Sequence, residues 1–134
     1  LTSLLGADGV HLGHEDLPIK KGRAILGGDK IIGRSTHTIS QAKKAVLEGA
    51  DYISIGPIWN TPIKADYRAV GLKILKRIRK EIKIPVFAIG GINCRNIKGV
   101  IKSGADRVAV VRAIIDAKNP EASAKELKKE LDKV

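Results

Sequence analysis

An α/β fold on a parallel sheet is predicted by three features of the sequence. Short β-rich runs alternate with helical stretches from end to end, and such alternation calls for parallel strands joined by crossover helices. One motif recurs three times: Gly6-Ala7-Asp8-Gly9-Val10-His11-Leu12, Gly49-Ala50-Asp51-Tyr52-Ile53-Ser54-Ile55 and Gly104-Ala105-Asp106-Arg107-Val108-Ala109-Val110. Five β–α units in 134 residues take roughly 27 residues each, so eight need about 215, within the range of a TIM-type (β/α)8 barrel. A doubly wound sheet is the alternative. Recurrence of the motif on alternate strands favours the barrel, because alternate strands fill the same interior layers. The chain is therefore read as a single domain, 1–134, that supplies about five units of such a barrel.

Leu1-Thr2-Ser3-Leu4-Leu5-Gly6 reads as the last turn of a helix closed by a glycine. The chain is thus expected to begin inside an element and to be part of a longer one. In each copy of the motif the glycine caps a helix, the chain turns, and a strand follows. Lys30-Ile31-Ile32-Gly33 and Ile84-Pro85-Val86-Phe87-Ala88-Ile89 supply the other two strands, with Pro85 tolerated only at a strand's start. Helices are expected over Ser40 to Glu48, after Thr38 as N-cap, and over Val70 to Ile82, where Val70, Ile74, Ile78 and Ile82 share one face. Two more are expected over Asn96 to Ser103 and over Pro120 to Leu131, with proline in the first turn of the latter. The alternation asks for a fifth between the first two strands.

The net charge of +11 suits either nucleic acid or small phosphorylated substrates. With aromatic residues at 3% there are few platforms for stacking bases. The basic residues are spread along helices as solvated faces, so nucleic acid is not expected as a partner. No apolar run approaches the roughly 18–20 residues of a membrane span, and no signal-peptide pattern opens the chain. A cytoplasmic protein without membrane partners is expected. The single cysteine, Cys94, cannot form an internal disulfide, which fits a reducing compartment.

In parallel β/α folds the chemistry sits at the C-terminal ends of strands. Five loops occupy that end: Gly13-His14-Glu15-Asp16, Arg34-Ser35-Thr36-His37-Thr38, Gly56 through Asp66, Gly90-Gly91-Ile92-Asn93 and Val111-Arg112-Ala113-Ile114. Gly90-Gly91 lets backbone N–H groups approach a phosphate near a helix start, or it makes a tight turn. In Thr61-Pro62-Ile63-Lys64 a hydroxyl and an ammonium suit a phosphate or pyrophosphate, or the lysine is simply solvated. Glu15-Asp16 suits Mg²⁺, a hard cation that takes one or two carboxylates plus phosphate oxygens; a cap or surface pair ahead of Pro18 is the commoner reading. Ser35 and His37 are hydrogen-bonding groups without the order of a nucleophilic triad, and His11 reads as a core histidine.

Together the segments from Gly6 to Asp16, Ile32 to Thr38, Gly49 to Ile58, Thr61 to Asp66, Ala88 to Ile92 and Gly104 to Asp106 resemble the thiamine-phosphate synthase family. The resemblance covers essentially the whole chain. It implies a transferase that joins hydroxymethylpyrimidine pyrophosphate to a thiazole phosphate, giving thiamine phosphate and pyrophosphate, with Mg²⁺ required. By the same resemblance Asp16 is one of two Mg²⁺ aspartates and Ser35 contacts the pyrimidine substrate. Thr61, Pro62 and Ile63 cradle the thiazole phosphate. Lys64 binds pyrophosphate and stabilises it as it leaves. Gly91, Val111 and Arg112 complete the thiazole-phosphate pocket, largely through backbone N–H groups.

The chain departs from the family pattern at His14, usually Gln, at Ile63, where Thr is expected, and at Arg112, usually Ser. The family's Gln-x-Arg-x-Lys strand and Asn-Asp pair are expected to precede residue 1. Residues 1–134 by themselves are then expected to be inactive, and to self-associate or depend on that segment. Two alternatives stand beside this reading: a thiazole tautomerase-like relative sharing the fold, and a non-enzyme, either an inactive half-barrel or a basic binding module for phosphate or nucleic acid.

Overall fold

A computed structural model describes residues 2, 4–62 and 67–133. Its elements run β1 (Gly9–Leu12), α1 (Ile19–Leu26), β2 (Ile31–Thr36), α2 (Ile39–Leu47), β3 (Tyr52–Ile55), α3 (Gly71–Glu81), β4 (Val86–Ile89), α4 (Ile97–Lys102), β5 (Val108–Ala109), α5 (Arg112–Ile115) and α6 (Pro120–Leu131). The strands form one parallel sheet in the order β1-β2-β3-β4-β5.

That order separates the two architectures the sequence allows. A doubly wound sheet reverses direction at a switch point, which puts helices on both faces. Here every crossover steps to the next strand in the same direction. Right-handed crossovers of that kind place their helices on a single face, leaving the other face for the interior of a barrel-like arc.

The core lies on the helical face. Ile32, Ile53, Ile55, Val86 and Ala88 from the sheet are fully buried with Ile19, Ala42, Leu75, Ile78, Ile97 and Val100 from the helices. Each large aliphatic side chain buried this way contributes about 1.5–3 kcal/mol. The α3 stripe is turned slightly from the expected one. Ile78 and Ile82 are buried as the i+4 spacing predicts, but Leu75 replaces Ile74 as the third deep contact. Ile74 and Val70 are half-buried beside the core.

In the second and third copies the motif does what its residues suggest: Gly49 and Gly104, with φ of 89° and 92°, follow α2 and α4. Gly6 also has positive φ, 63°, but among the described residues a turn and not a helix precedes it. A strand follows each turn. The aspartate has its own task. Asp51 Oδ2 accepts from Ile32 N (2.7 Å) and from Arg23 Nη2 (2.6 Å), while Asp51 N donates to Ile32 O (2.9 Å). The third copy repeats the clamp: Arg79 Nε donates to Gly104 O (2.8 Å), and Arg79 pairs with Asp106 at 3.4 Å. Burial pushes the Asp51 carboxyl up, but the Ile32 N–H and the Arg23 guanidinium outweigh it and hold its pKa below the ordinary value. Its contribution to stability is therefore present above the usual carboxylate range and is lost as pH falls through the depressed pKa.

Two segments read as loops are regular structure. Strand β2 does not stop at Gly33 but continues through Arg34 and Ser35 to Thr36. The buried Thr36 hydroxyl donates to Ser54 O at 2.8 Å, which holds the extension in register with β3. Residues Val111 to Ile114 are not a loop either, since α5 begins at Arg112; one helical turn is too short to leave a periodic signal. Elsewhere Thr38 Oγ1 accepts from Gln41 N (3.2 Å) as the expected cap of α2. Helix α6 has the expected bounds, with Asn119 as its cap.

Candidate functional site

The bare face and the C-terminal strand ends enclose a cleft of about 1370 Å³. Sequence-predicted residues converge on it: Ser35, Thr61, Pro62, Gly91, Val111 and Arg112 all line its wall. They come from β2, from the β3–α3 loop, from the turn after β4, and from the β5–α5 junction. Asp16 stands one turn away, where its Oδ2 accepts from the N–H of Gly13, itself a wall residue, at 2.5 Å. Ile63 and Lys64, with Asp66 of the same motif, lie outside the described residues. On either side of them, Pro62 lines the cleft, and Tyr67 stacks on His37, also a wall residue, at 4.2 Å.

Each part is held by contacts the local sequence provides. The β3–α3 loop is zipped to the end of β4: Ile58 N donates to Ile89 O (2.8 Å) and Trp59 N to Gly90 O (3.1 Å). This brings Pro57 and Trp59 so close to the Gly90-Gly91 turn that no β-carbon fits there. Gly90 and Gly91 both have positive φ, 95° and 68°. Asn96 Nδ2 donates to Gly91 O (2.8 Å), and Asn96 Oδ1 accepts from Asn93 N (2.9 Å), fixing the far side of the turn. The Asp16 loop is clamped by Arg34, whose Nη1 and Nη2 donate to Leu17 O (2.9 Å) and His14 O (2.8 Å).

Chemically, the wall offers backbone donors at the Gly-Gly turn and at the start of α5, where the first N–H groups have no partner within the helix. It adds the hydroxyls of Ser35 and Thr61. Such a set suits an anion with several acceptor oxygens. The Arg112 side chain is engaged at one donor, its Nε–H bonding Asp116 Oδ2 at 2.7 Å, and Asp116 lines the wall with it. Among the described residues no three His, Cys, Asp or Glu side chains come together as a metal cluster. Asp16 supplies one hard carboxylate at the rim.

The rim also holds residues the sequence left without a role. Gln41 reaches His14 Nε2 (3.3 Å), and its Oε1 accepts from His37 N (2.7 Å). His37 Nδ1 donates to Gly56 O (2.5 Å), and its ring meets His14 edge-on at 5.9 Å. His11 is not a core histidine. It lies on the bare face and bonds to Ser35 and Tyr52. The signal was present in the period of two along β1: Val10 and Leu12 point to the helices, so His11 must point the other way.

Comparisons with known proteins bear on the family and the fold. The family model described as "Thiamine monophosphate synthase" matches residues 1–114. A thiamine-phosphate synthase from Thermosynechococcus vestitus is 51% identical over 125 residues, 93% of this chain and 36% of that protein. One from Thermus thermophilus is 46% identical over 132 residues, 98% of this chain and 63% of its own length. The solved structure of a thiamine phosphate pyrophosphorylase from Pyrococcus furiosus superposes with a TM-score of 0.90 at 39% identity, covering 98% of this chain and 63% of that one. The chain thus spans a little over a third of the cyanobacterial relative and under two thirds of the other two. On the match of family model, sequence and fold, it belongs to the thiamine monophosphate synthase family.

Proposed function

We propose that the cleft handles the substrates of thiamine-phosphate synthesis. The observation that carries this reading is the convergence of Ser35, Thr61, Pro62, Gly91, Val111 and Arg112, drawn from four separate segments, on one wall. In the reaction the bond between the pyrimidine methylene carbon and its pyrophosphate oxygen breaks, and pyrophosphate leaves with the electron pair. The thiazole nitrogen then gives its lone pair to the methylene cation, forming the new C–N bond. The protein needs no nucleophile for this. It needs fixed geometry and positive potential where negative charge departs.

The Gly90-Gly91 turn, Thr61 and the backbone at the start of α5 hold the thiazole phosphate. Ser35 contacts the pyrimidine, and the family resemblance assigns Lys64 to binding the leaving pyrophosphate. Asp16 fits a Mg²⁺ site of the kind completed by substrate phosphate and water, since this ion takes few protein carboxylates. Mg²⁺, when bound, neutralises charge on the pyrophosphate. Accordingly Asp16→Asn should raise the Mg²⁺ concentration needed for half-maximal rate severalfold while leaving the fold intact. A Mg²⁺ titration that overlays the parent's would make Asp16 only the cap of the Gly13 turn.

Assembly and location belong to the same reading. Strands β1 and β5 are the edges of the sheet among the described residues, and unpaired edges recruit further strands. Completed to eight strands, the sheet closes as a TIM-type barrel. Residues 1–134 expressed by themselves should therefore self-associate and make no thiamine phosphate; a monodisperse, active monomer in sedimentation and assay would refute this. No described helix is long and apolar enough to cross a membrane, and we place the protein in the cytoplasm with its small phosphorylated substrates. The deciding experiment is thiamine-phosphate formation by the full-length gene product with Mg²⁺. No product would leave the tautomerase-like or the phosphate-binding reading.

A further inference from the structure

Three polar side chains on the bare face form a connected group. His11 on β1, Gly33 on β2 and Tyr52 on β3 stand in one row across the sheet, His11 opposite Gly33 and Gly33 opposite Tyr52. Neighbouring strands lie about 4.8 Å apart, so residues two strands away are normally separated by the side chain between them. Here that residue is glycine, and any β-carbon on it would collide with the Tyr52 ring. Tyr52 therefore leans across β2. Its hydroxyl lies 2.9 Å from His11 Nδ1, with the two rings 5.4 Å apart. The other ring nitrogen, Nε2, lies 2.9 Å from Ser35 Oγ. Phe87 meets Tyr52 edge-on at 5.3 Å and limits how far the phenol can swing.

The polarity of this chain follows from acid strength. Burial and the Arg34 guanidinium lower the His11 pKa, against a weaker pull from Asp16. The ring is then neutral near pH 7, with one N–H and one bare nitrogen. A phenol is a stronger acid than an alkyl hydroxyl and so the better donor; the serine oxygen is the better acceptor. Burial raises the Tyr52 pKa, so the phenol keeps its proton. The favoured arrangement has the Tyr52 O–H donating to Nδ1 and Nε2–H donating to Ser35 Oγ. The serine hydrogen is then free to point into the cleft.

We propose that Tyr52 and His11 are positioning residues that set Ser35 as a hydrogen-bond donor, aimed at an acceptor atom of the substrate. Suitable targets are an aromatic ring nitrogen or a leaving-group oxygen; the opposite polarity would instead suit an exocyclic amine. The consequence for turnover rests on the proposed function, through the role of Ser35 there. The polarity itself belongs to the ligand-free protein.

Histidine ¹⁵N spectroscopy on the full-length protein, with His11 assigned by the signal lost in His11→Gln, tests the polarity without reference to activity. The expected result is a protonated Nε2 and a bare Nδ1. A protonated Nδ1 in the unaltered protein would overturn the proposal whatever the enzyme does. In turnover, Tyr52→Phe should lower kcat about tenfold, the worth of one hydrogen bond, while leaving KM for the thiazole phosphate unchanged. His11→Gln, which retains an amide donor, should keep more activity than His11→Ala. Equal rates for parent and His11→Ala would remove the positioning role. A synthase assay negative for the unaltered protein, with the expected ¹⁵N pattern, would instead count against the proposed function.

Discussion

Replacing Lys64 by alanine in the full-length protein is expected to lower turnover by about 10²–10³-fold, the typical effect of removing a group aimed at charge that develops in the transition state. Thiazole-phosphate binding should change far less, because the backbone of Gly91 and of the β5–α5 junction is proposed to carry that ligand. The motivation is the cleft's composition. Its described wall offers neutral backbone and hydroxyl donors around the Gly-Gly turn, and the Arg112 charge is partly offset by its exposed pair with Asp116. A departing pyrophosphate calls for a full positive charge as well as dipoles. The resemblance places Lys64 in that role, two residues beyond Pro62 on the wall. Single-turnover rates and thiazole-phosphate affinity, measured on the same variant, would check the division. Unchanged turnover would remove Lys64 from the mechanism.

Gly90→Ala should destabilise the fold by about 3 kcal/mol. One part is conformational: φ is 95°, and the left-handed region costs an L-residue about 1–2 kcal/mol. The other part is steric. An alanine β-carbon would sit 2.5 Å from Pro57 Cβ and 2.6 Å from Pro57 Cα, and overpacking of that kind costs about 1–3 kcal/mol. The β3–α3 loop cannot retreat without giving up the hydrogen bonds of Ile58 and Trp59 to the end of β4. Urea unfolding at constant m-value would measure the loss. Gly28→Ala is the control: nothing lies within 4 Å of the added carbon and φ is not positive, so its effect should stay within about 0.5 kcal/mol. Equal midpoints for the two variants would show that the turn yields more easily than its contacts indicate.

Much of the fold is legible along the chain because it is set by local rules. The Gly-Ala-Asp copies mark strand starts, since in each the glycine takes the left-handed conformation that turns the chain into the strand that follows. Thr38 announces α2 through its own side chain, and Pro120 opens α6. The misread elements share a cause. Gly33 resembles a strand terminator on local grounds, yet β2 runs through it because Tyr52, nineteen residues later, needs the space. Leu75 displaces Ile74 from the core because the neighbouring helix and sheet, not the spacing of isoleucines, decide which face of α3 is covered.

The candidate site divides in the same way. Loop position singled out the segments holding Ser35, Thr61, Gly91 and the β5–α5 junction, because parallel folds put their ligands at the C-terminal ends of strands, while the family resemblance supplied their roles. Their number and chemistry are properties of the sequence itself, as are the parallel alternation and the family motifs. That they face one cleft, that Arg34 clamps the Asp16 loop, and that His11 and Tyr52 meet over Gly33 were decided only by the tertiary structure. The reason is that each depends on strand register and crossover direction. These bring together residues tens of positions apart, and no local spacing encodes them.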